Sequence, residues 1–155
     1  MLTHIDENGN AKMVNISEKN TTQRMAVASG SISMKKKTLS LVKFQSHKKG
    51  DVLTVAKIAA IQAAKSTSTL IPMCHPIVLT SIEIEFKIHE EDLLIECIAT
   101  TQCSGQTGVE MEALSAVSIG LLTIYDMCKA EDKGMIITNV NLLKKSGGDS
   151  GLWEK

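Results

Sequence analysis

The chain has almost no aromatic surface: Phe44, Phe86, Tyr125 and Trp153 are the whole complement among 155 residues. That is too few for the stacking platform that single-stranded nucleic acid requires. Net charge is missing as well, since 17 basic residues meet 17 acidic ones. No overall field exists to gather a polyanion or an anionic membrane, so any anion site must be local, and neither nucleic acid nor membrane is an expected partner. No run of about 18 apolar residues occurs, and residues 1–10 are polar and acidic. A membrane span and a leader peptide are therefore not expected, and the cytoplasm is the expected location. Cys74, Cys97, Cys103 and Cys128 match no zinc spacing and read as reduced thiols. Arginine is nearly absent too: the basic residues are 16 lysines and Arg24. A chain that uses lysine everywhere else points to a task for that one guanidinium fork.

What remains is a 43% hydrophobic, mainly aliphatic sequence, enough for one core and one domain. Residues 1–22 read as an N-terminal arm ordered only where it docks, 23–145 as the single domain and 146–155 as a flexible Gly/Ser-rich tail. Alternation over Met25 to Met34 predicts a strand, and Lys36 to Phe44 a short helix. Asp51 is placed to cap a longer helix reaching Ser66, with Val52, Val55, Ala56, Ala59 and Ala63 as its inner stripe. Ile82, Ile84, Phe86 and Ile88 alternate with charged residues, and Leu93 to Thr101 follows, which makes a hairpin. Thr107-Gly108-Val109-Glu110 has the form of a capping box opening a helix to about Ala130. That helix is apolar on nearly every face, so one sheet cannot cover it and a second subunit is expected on its other side. Met135 to Leu143 supplies the last strand. The order gives a ferredoxin-like α+β fold: a four-stranded antiparallel sheet with helices on one face.

Candidate chemistry is sparse. Pro72 and Pro76, the only prolines, bracket Met73-Cys74-His75 and hold both Ile71 and His75 extended. Asp126 lies in the last turn of the long helix, where the dipole disfavours a carboxylate, with Lys129 three residues on. The pair reads equally as a surface ion pair and as a carboxylate tuning an acid–base lysine. Glu110 is accounted for by the capping box, whereas Glu112, about 200° further round the helix, is free to meet a donor edge such as that of a guanine or pterin ring. Lys48-Lys49 and Lys144-Lys145 read as solvated clusters, or with Arg24 as one convergent anion site. No Walker motif, dinucleotide fingerprint or metal-ligand cluster is present, so the expected chemistry is acid–base and electrostatic, with no metal and no cofactor.

The chain resembles the MoaC family, the cyclic pyranopterin monophosphate synthases of molybdenum cofactor biosynthesis. The resemblance runs nearly end to end. It rests on Leu2-Thr3-His4-Ile5, Lys12-Met13-Val14, Lys49-Gly50-Asp51-Val52, Ile61-Gln62-Ala63-Ala64-Lys65 and Leu70-Ile71-Pro72-Met73-Cys74-His75-Pro76 in the first half. The second half adds Thr107-Gly108-Val109-Glu110-Met111-Glu112-Ala113-Leu114, Leu122-Thr123-Ile124-Tyr125-Asp126-Met127-Cys128-Lys129-Ala130 and Lys145-Ser146-Gly147-Gly148. The resemblance implies a homohexamer, a trimer of dimers with sites at subunit interfaces. It implies a lyase that converts the GTP-derived 3′,8-cyclo-7,8-dihydro nucleotide triphosphate into cyclic pyranopterin monophosphate and releases pyrophosphate. By position it makes Lys49, Lys129 and Asp126 catalytic. It places Met73, Cys74, His75, Met111 and Glu112 on the substrate, Arg24 and Lys145 near its phosphates, and Glu110 as a supporting acid. One departure stands out: where the family commonly has a second lysine after the glycine pair, this chain has Asp149. A reading from another class, a non-catalytic oligomeric nucleotide sensor, differs by binding without turnover.

Overall fold

The computed structural model describes residues 4–45 and 50–155. Nine elements follow one another: β1 (Thr22–Ser33), α1 (Lys36–Lys43), α2 (Val52–Lys65), α3 (Thr67–Leu70), β2 (Leu79–His89), β3 (Leu94–Gly105), α4 (Glu110–Cys128), β4 (Ile136–Ser146) and β5 (Trp153–Glu154). The strands form one antiparallel sheet in the order β2-β3-β1-β4-β5. It is an α+β fold. β1 is central, registered from Thr22 opposite Gly105 to Ser33 opposite Leu94, and flanked on its other edge by β4.

Alternation decides which face is dry. Ala26, Ala28 and Ile32 of β1 and Ile95, Cys97, Ala99 and Cys103 of β3 are fully buried beneath the helices. Fully buried Ile32, Ile95, Leu121 and Ile124 each contribute roughly 1.5 to 3 kcal/mol by transfer from water. Small residues set how closely α4 approaches: a Cβ on Gly30 would lie 2.8 Å from Val117 Cγ1 and 2.9 Å from Leu121 Cδ1. The helix therefore beds directly on the β1 backbone. α2 lies against α4 and over β2. Asp51 caps α2, accepting from Thr54 N at 3.0 Å. At the far end Asp132, almost fully buried, accepts from Lys35 N at 2.8 Å and Gly134 N at 3.0 Å, and so caps α1 from another part of the chain.

Several expectations are corrected. The sheet has five strands, not four, because Gly147, Gly148 and Gly151, all at positive φ, turn the tail back so that Trp153 and Glu154 pair with Lys145 and Lys144. Of the expected α2 stripe Val52, Ala56 and Ala63 are buried, but Ala60 and Ala64 complete it, while Val55 faces outward and Ala59 is only half-buried. Close packing on α4 selects for small side chains and leaves the bulkier ones outside. The capping box does not form: α4 begins at Glu110, the flanking residue is the buried Val109, and no side chain caps it. Thr101 Oγ1 donates to the Val109 carbonyl at 2.9 Å instead, fixing this end of α4 to β3. The apolar girth of α4 is largely met within one chain, by β1, β3 and β4 on one side and α2 on another. Only Met111 and Leu122 among its large apolar residues are exposed. α4 also has the length and apolarity of a membrane span, yet 56% of that window is buried, so a core helix accounts for it.

Candidate active site

The N-terminal end of α4 opens into a cavity of about 280 Å³. Met73, Cys74 and His75 form one wall, Glu110, Met111 and Glu112 another, with Thr107, Gly108 and Ile77 between them. The sequence places the first wall by its proline bracket: Ile71, before Pro72, is extended at φ −113° and ψ 110°, and Cys74 N closes a turn onto the Ile71 carbonyl at 3.1 Å. The second wall is the first turn of α4. Six of the expected substrate-binding residues are thereby brought together.

Glu112 is the chemically unusual group. It is 3% exposed, and its Oε2 has no hydrogen-bond partner among the described residues. Leaving a buried carboxylate oxygen unpaired is costly, so such a group is expected to meet a ligand. Burial pushes its carboxyl up to about 7, the Glu110 charge adds to this, and its own backbone N–H opposes it. The thiols of Cys74 and Cys103 are raised by burial first and by the Glu112 charge second.

Cations lie beside this cavity. Lys145 Nζ sits 3.9 Å from Glu110 Oε1 and bonds Ser150 Oγ. Arg24 Nε donates to the Gly105 carbonyl at 3.3 Å. The pairing of Ala26 with Lys145 sets both cations on neighbouring strands near the base of α4. Lys144 is the outlier of its cluster, since it pairs with Glu154 of β5 at 3.6 Å.

Three expected residues stand apart. Lys49 lies outside the described residues. Asp126 and Lys129 sit at the other end of α4, where Lys129 Nζ donates to Asp126 Oδ1 at 2.6 Å across a pair that is more than half exposed. That bond, and then the Asp126 charge, hold the Lys129 ammonium above its usual range. Fourteen residues of helix separate Asp126 from Glu112, roughly 21 Å at 1.5 Å per residue. Within one chain the two groups cannot touch one small molecule's reacting atoms.

The arm supplies what sequence reasoning missed. His4, Val14, Ile16 and Lys19 complete the cavity wall. Gln106 Nε2 pins the arm there, donating to the Lys19 carbonyl at 2.9 Å. Aperiodic polar sequence carries no pattern that reveals such docking; only the His4-Ile5 and Lys12-Met13-Val14 strings pointed to it. Among the described residues no group of three or more His, Cys, Asp or Glu side chains is arranged to hold a metal ion.

Residues 13–148 match the MoaC family. The chain belongs to that family. Cyclic pyranopterin monophosphate synthase of Thermoanaerobacter sp. (strain X514) is 55% identical over 154 residues, covering 99% of this chain and 98% of that protein. The protein of the same name from Clostridium acetobutylicum is 54% identical over 155 residues, covering 100% of this chain and 96% of its own. That from Peptoclostridium acidaminophilum is 51% identical over 153 residues, covering 99% and 96%.

Proposed function

We propose that this MoaC-family chain is a cyclic pyranopterin monophosphate synthase, a cytoplasmic lyase of molybdenum cofactor biosynthesis. It rearranges the GTP-derived 3′,8-cyclo-7,8-dihydro nucleotide and releases pyrophosphate. The observation that carries the reading is the buried Glu112 carboxylate, its Oε2 without a partner among the described residues, inside the cavity of Met73, Cys74, His75 and Met111. A purine-derived ring has the N–H edge such a carboxylate needs, and the two methionines are polarisable surfaces for its faces. With the ring there, the triphosphate runs past Glu110 towards Lys145 and Arg24, the one bidentate cation of the chain.

Proton transfer falls to Lys129, with Asp126 holding its ammonium, and to Lys49. Since Lys129 is kept protonated by Asp126, its first act is to donate, and it becomes a base only after giving up that proton. The roughly 21 Å between Glu112 and Asp126 along α4 supports a site shared between copies, one giving the ring cavity and its neighbour the Asp126–Lys129 pair. A homohexamer built as a trimer of dimers meets that need with closed symmetry. The strand order β4-β1-β3-β2, with α2 and α4 on one face, supports a ferredoxin-like subunit to which β5 is added. No cofactor is assigned a step.

Pyrophosphate release from the cyclised nucleotide tests the reading. Turnover dependent on Lys129 and Asp126 is the expected result. Saturable binding with no pyrophosphate released would replace the enzyme with the nucleotide sensor, whose cavity would be the same.

A further inference from the structure

Arg24 is held by a surface that only glycine can provide. Gly147 and Gly148, at φ 99° and 69°, turn the chain at the end of β4, and the Arg24 side chain lies directly on that turn. A Cβ on Gly148 would fall 1.7 Å from Arg24 Nη1 and 2.5 Å from Cζ, and one on Gly147 would fall 3.1 Å from Arg24 Cδ and 2.1 Å from the Gln23 carbonyl oxygen. The guanidinium thus fills the volume that a side chain at 148 would take. From the opposite side the Gly105 carbonyl accepts Nε–H. That is the only side-chain hydrogen bond of Arg24 among the described residues, and it leaves the four Nη–H donors of the fork for a ligand.

We propose that Gly148 is a positioning residue for substrate binding: its missing side chain seats the Arg24 guanidinium between the 147–148 turn and the Gly105 carbonyl, aiming the Nη fork at the substrate's phosphates. The proposal rests on the assignment of Arg24 to those phosphates and extends it to a residue with no functional group. Rotamer entropy is the physical reason such a seat matters. An arginine held on both sides has already lost its side-chain freedom before the anion arrives, so more of the contact energy appears as affinity.

Any residue at 148 crowds Arg24, so Gly148→Ala is expected to raise KM for pyrophosphate release about tenfold, the scale of one lost charged hydrogen bond, and to change kcat far less. Alanine also strains a positive φ, which asparagine tolerates better. Gly148→Asn should therefore recover thermal stability and leave KM raised. In an Arg24→Ala background, where the seat is empty, Gly148→Ala should raise KM no further. Recovery of wild-type KM by Gly148→Asn, or effects of Gly148→Ala and Arg24→Ala that simply multiply, would overturn the proposal. If Gly148→Ala does not fold, the double variant with Arg24→Ala should fold, since removing the guanidinium clears the space, and an unfolded double variant counts against the seat. Calorimetry with inorganic tripolyphosphate on the same set separates the two layers. Wild-type binding with no turnover of the cyclised nucleotide refutes the enzymatic reading alone, whereas turnover with additive tripolyphosphate affinities refutes the seat alone.

Discussion

The two ends of α4 are built for opposite states of charge. At the N-terminal end Glu112 is out of water, its Oε2 without a hydrogen-bond partner among the described residues, and poised to be neutral below about pH 7. At the C-terminal end Asp126 and Lys129 are in solvent, bonded to each other and both charged. A helix dipole should favour the reverse for the carboxylates, since its N-terminus stabilises anions and its C-terminus does not. Desolvation overrides the dipole at Glu112, and the adjacent ammonium offsets it at Asp126. In the proposed mechanism the first end receives a donor edge and the second supplies protons. On that proposal the roughly 21 Å between them along α4 calls for a second chain.

The sharpest way to break that contrast is to remove the proton source. Lys129→Ala should leave the cavity and the Arg24 seat intact, so substrate should bind while turnover falls about 10²- to 10⁴-fold. Asp126→Asn should also lower turnover, and the double variant should be little worse than the weaker single, because the residues act as a unit. Calorimetric binding beside a pyrophosphate assay reads both. Mixing Lys129→Ala subunits with Glu112→Ala subunits after unfolding extends the test. Sites composed of two chains would regain about a quarter of wild-type activity on random assembly, and sites within one chain none.

Titration of the receptor end comes next in size. A carboxyl raised to about 7 binds a proton in the folded protein that the unfolded chain, near its ordinary value of 4.5, has already lost. Stability should therefore fall as pH rises from about 4.5 to 7, and Glu112→Gln should remove that slope and stabilise the protein at pH 8 by on the order of 2 to 3 kcal/mol. Substrate affinity should run the other way: a donor edge selects the carboxylate, so binding tightens as pH rises towards 7 and releases protons. Chemical denaturation at pH 5 and 8, and calorimetry in buffers of different ionisation enthalpy, measure the two slopes. A flat stability profile in the wild type would show Glu112 to be ionised throughout.

These contrasts were unevenly legible in the sequence. The hairpin of β2 and β3 and the Asp51 cap follow from local pattern, because one wet face and one capping side chain each leave a mark within a few residues. The α2 stripe was legible at Val52, Ala56 and Ala63 but not at Ala60 and Ala64, since which alanines pack depends on how close α4 comes, a property of two helices rather than of one. Thr107-Gly108-Val109-Glu110 carried a capping signal that tertiary contact cancels: Thr101 takes the Val109 carbonyl, and Glu110 turns to Lys145 instead. The spacing of Glu112 suggested a free carboxylate. That its Oε2 is buried without a partner among the described residues, in a cavity it shares with Met73, Cys74 and His75, is visible only in the folded chain.

Smaller effects test how the phosphates are read. Arg24→Lys keeps the charge but loses the planar fork, so substrate affinity should fall about tenfold with the fold unchanged. Equal kinetics in that variant would reduce the lone arginine to a generic cation.

The smallest expected effect concerns the residue next to the Arg24 seat. Asp149 is exposed and follows Gly148 directly, placing a negative charge where the MoaC resemblance leads one to expect a lysine. At an exposed position a charge acts through screened Coulomb interaction, worth only a few tenths to about 1 kcal/mol at physiological salt. Asp149→Lys reverses the sign, so it should lower KM a few-fold and leave kcat, the pH profile and Lys129 dependence unchanged. The gain should shrink as salt rises to about 1 M, where the screening length is roughly 3 Å. KM for pyrophosphate release measured at low and high salt reads this directly. A gain that persists in high salt would mean that a lysine at 149 touches the phosphates rather than merely facing them, and the cation cluster would then extend from Arg24 and Lys145 into the 148–151 turn.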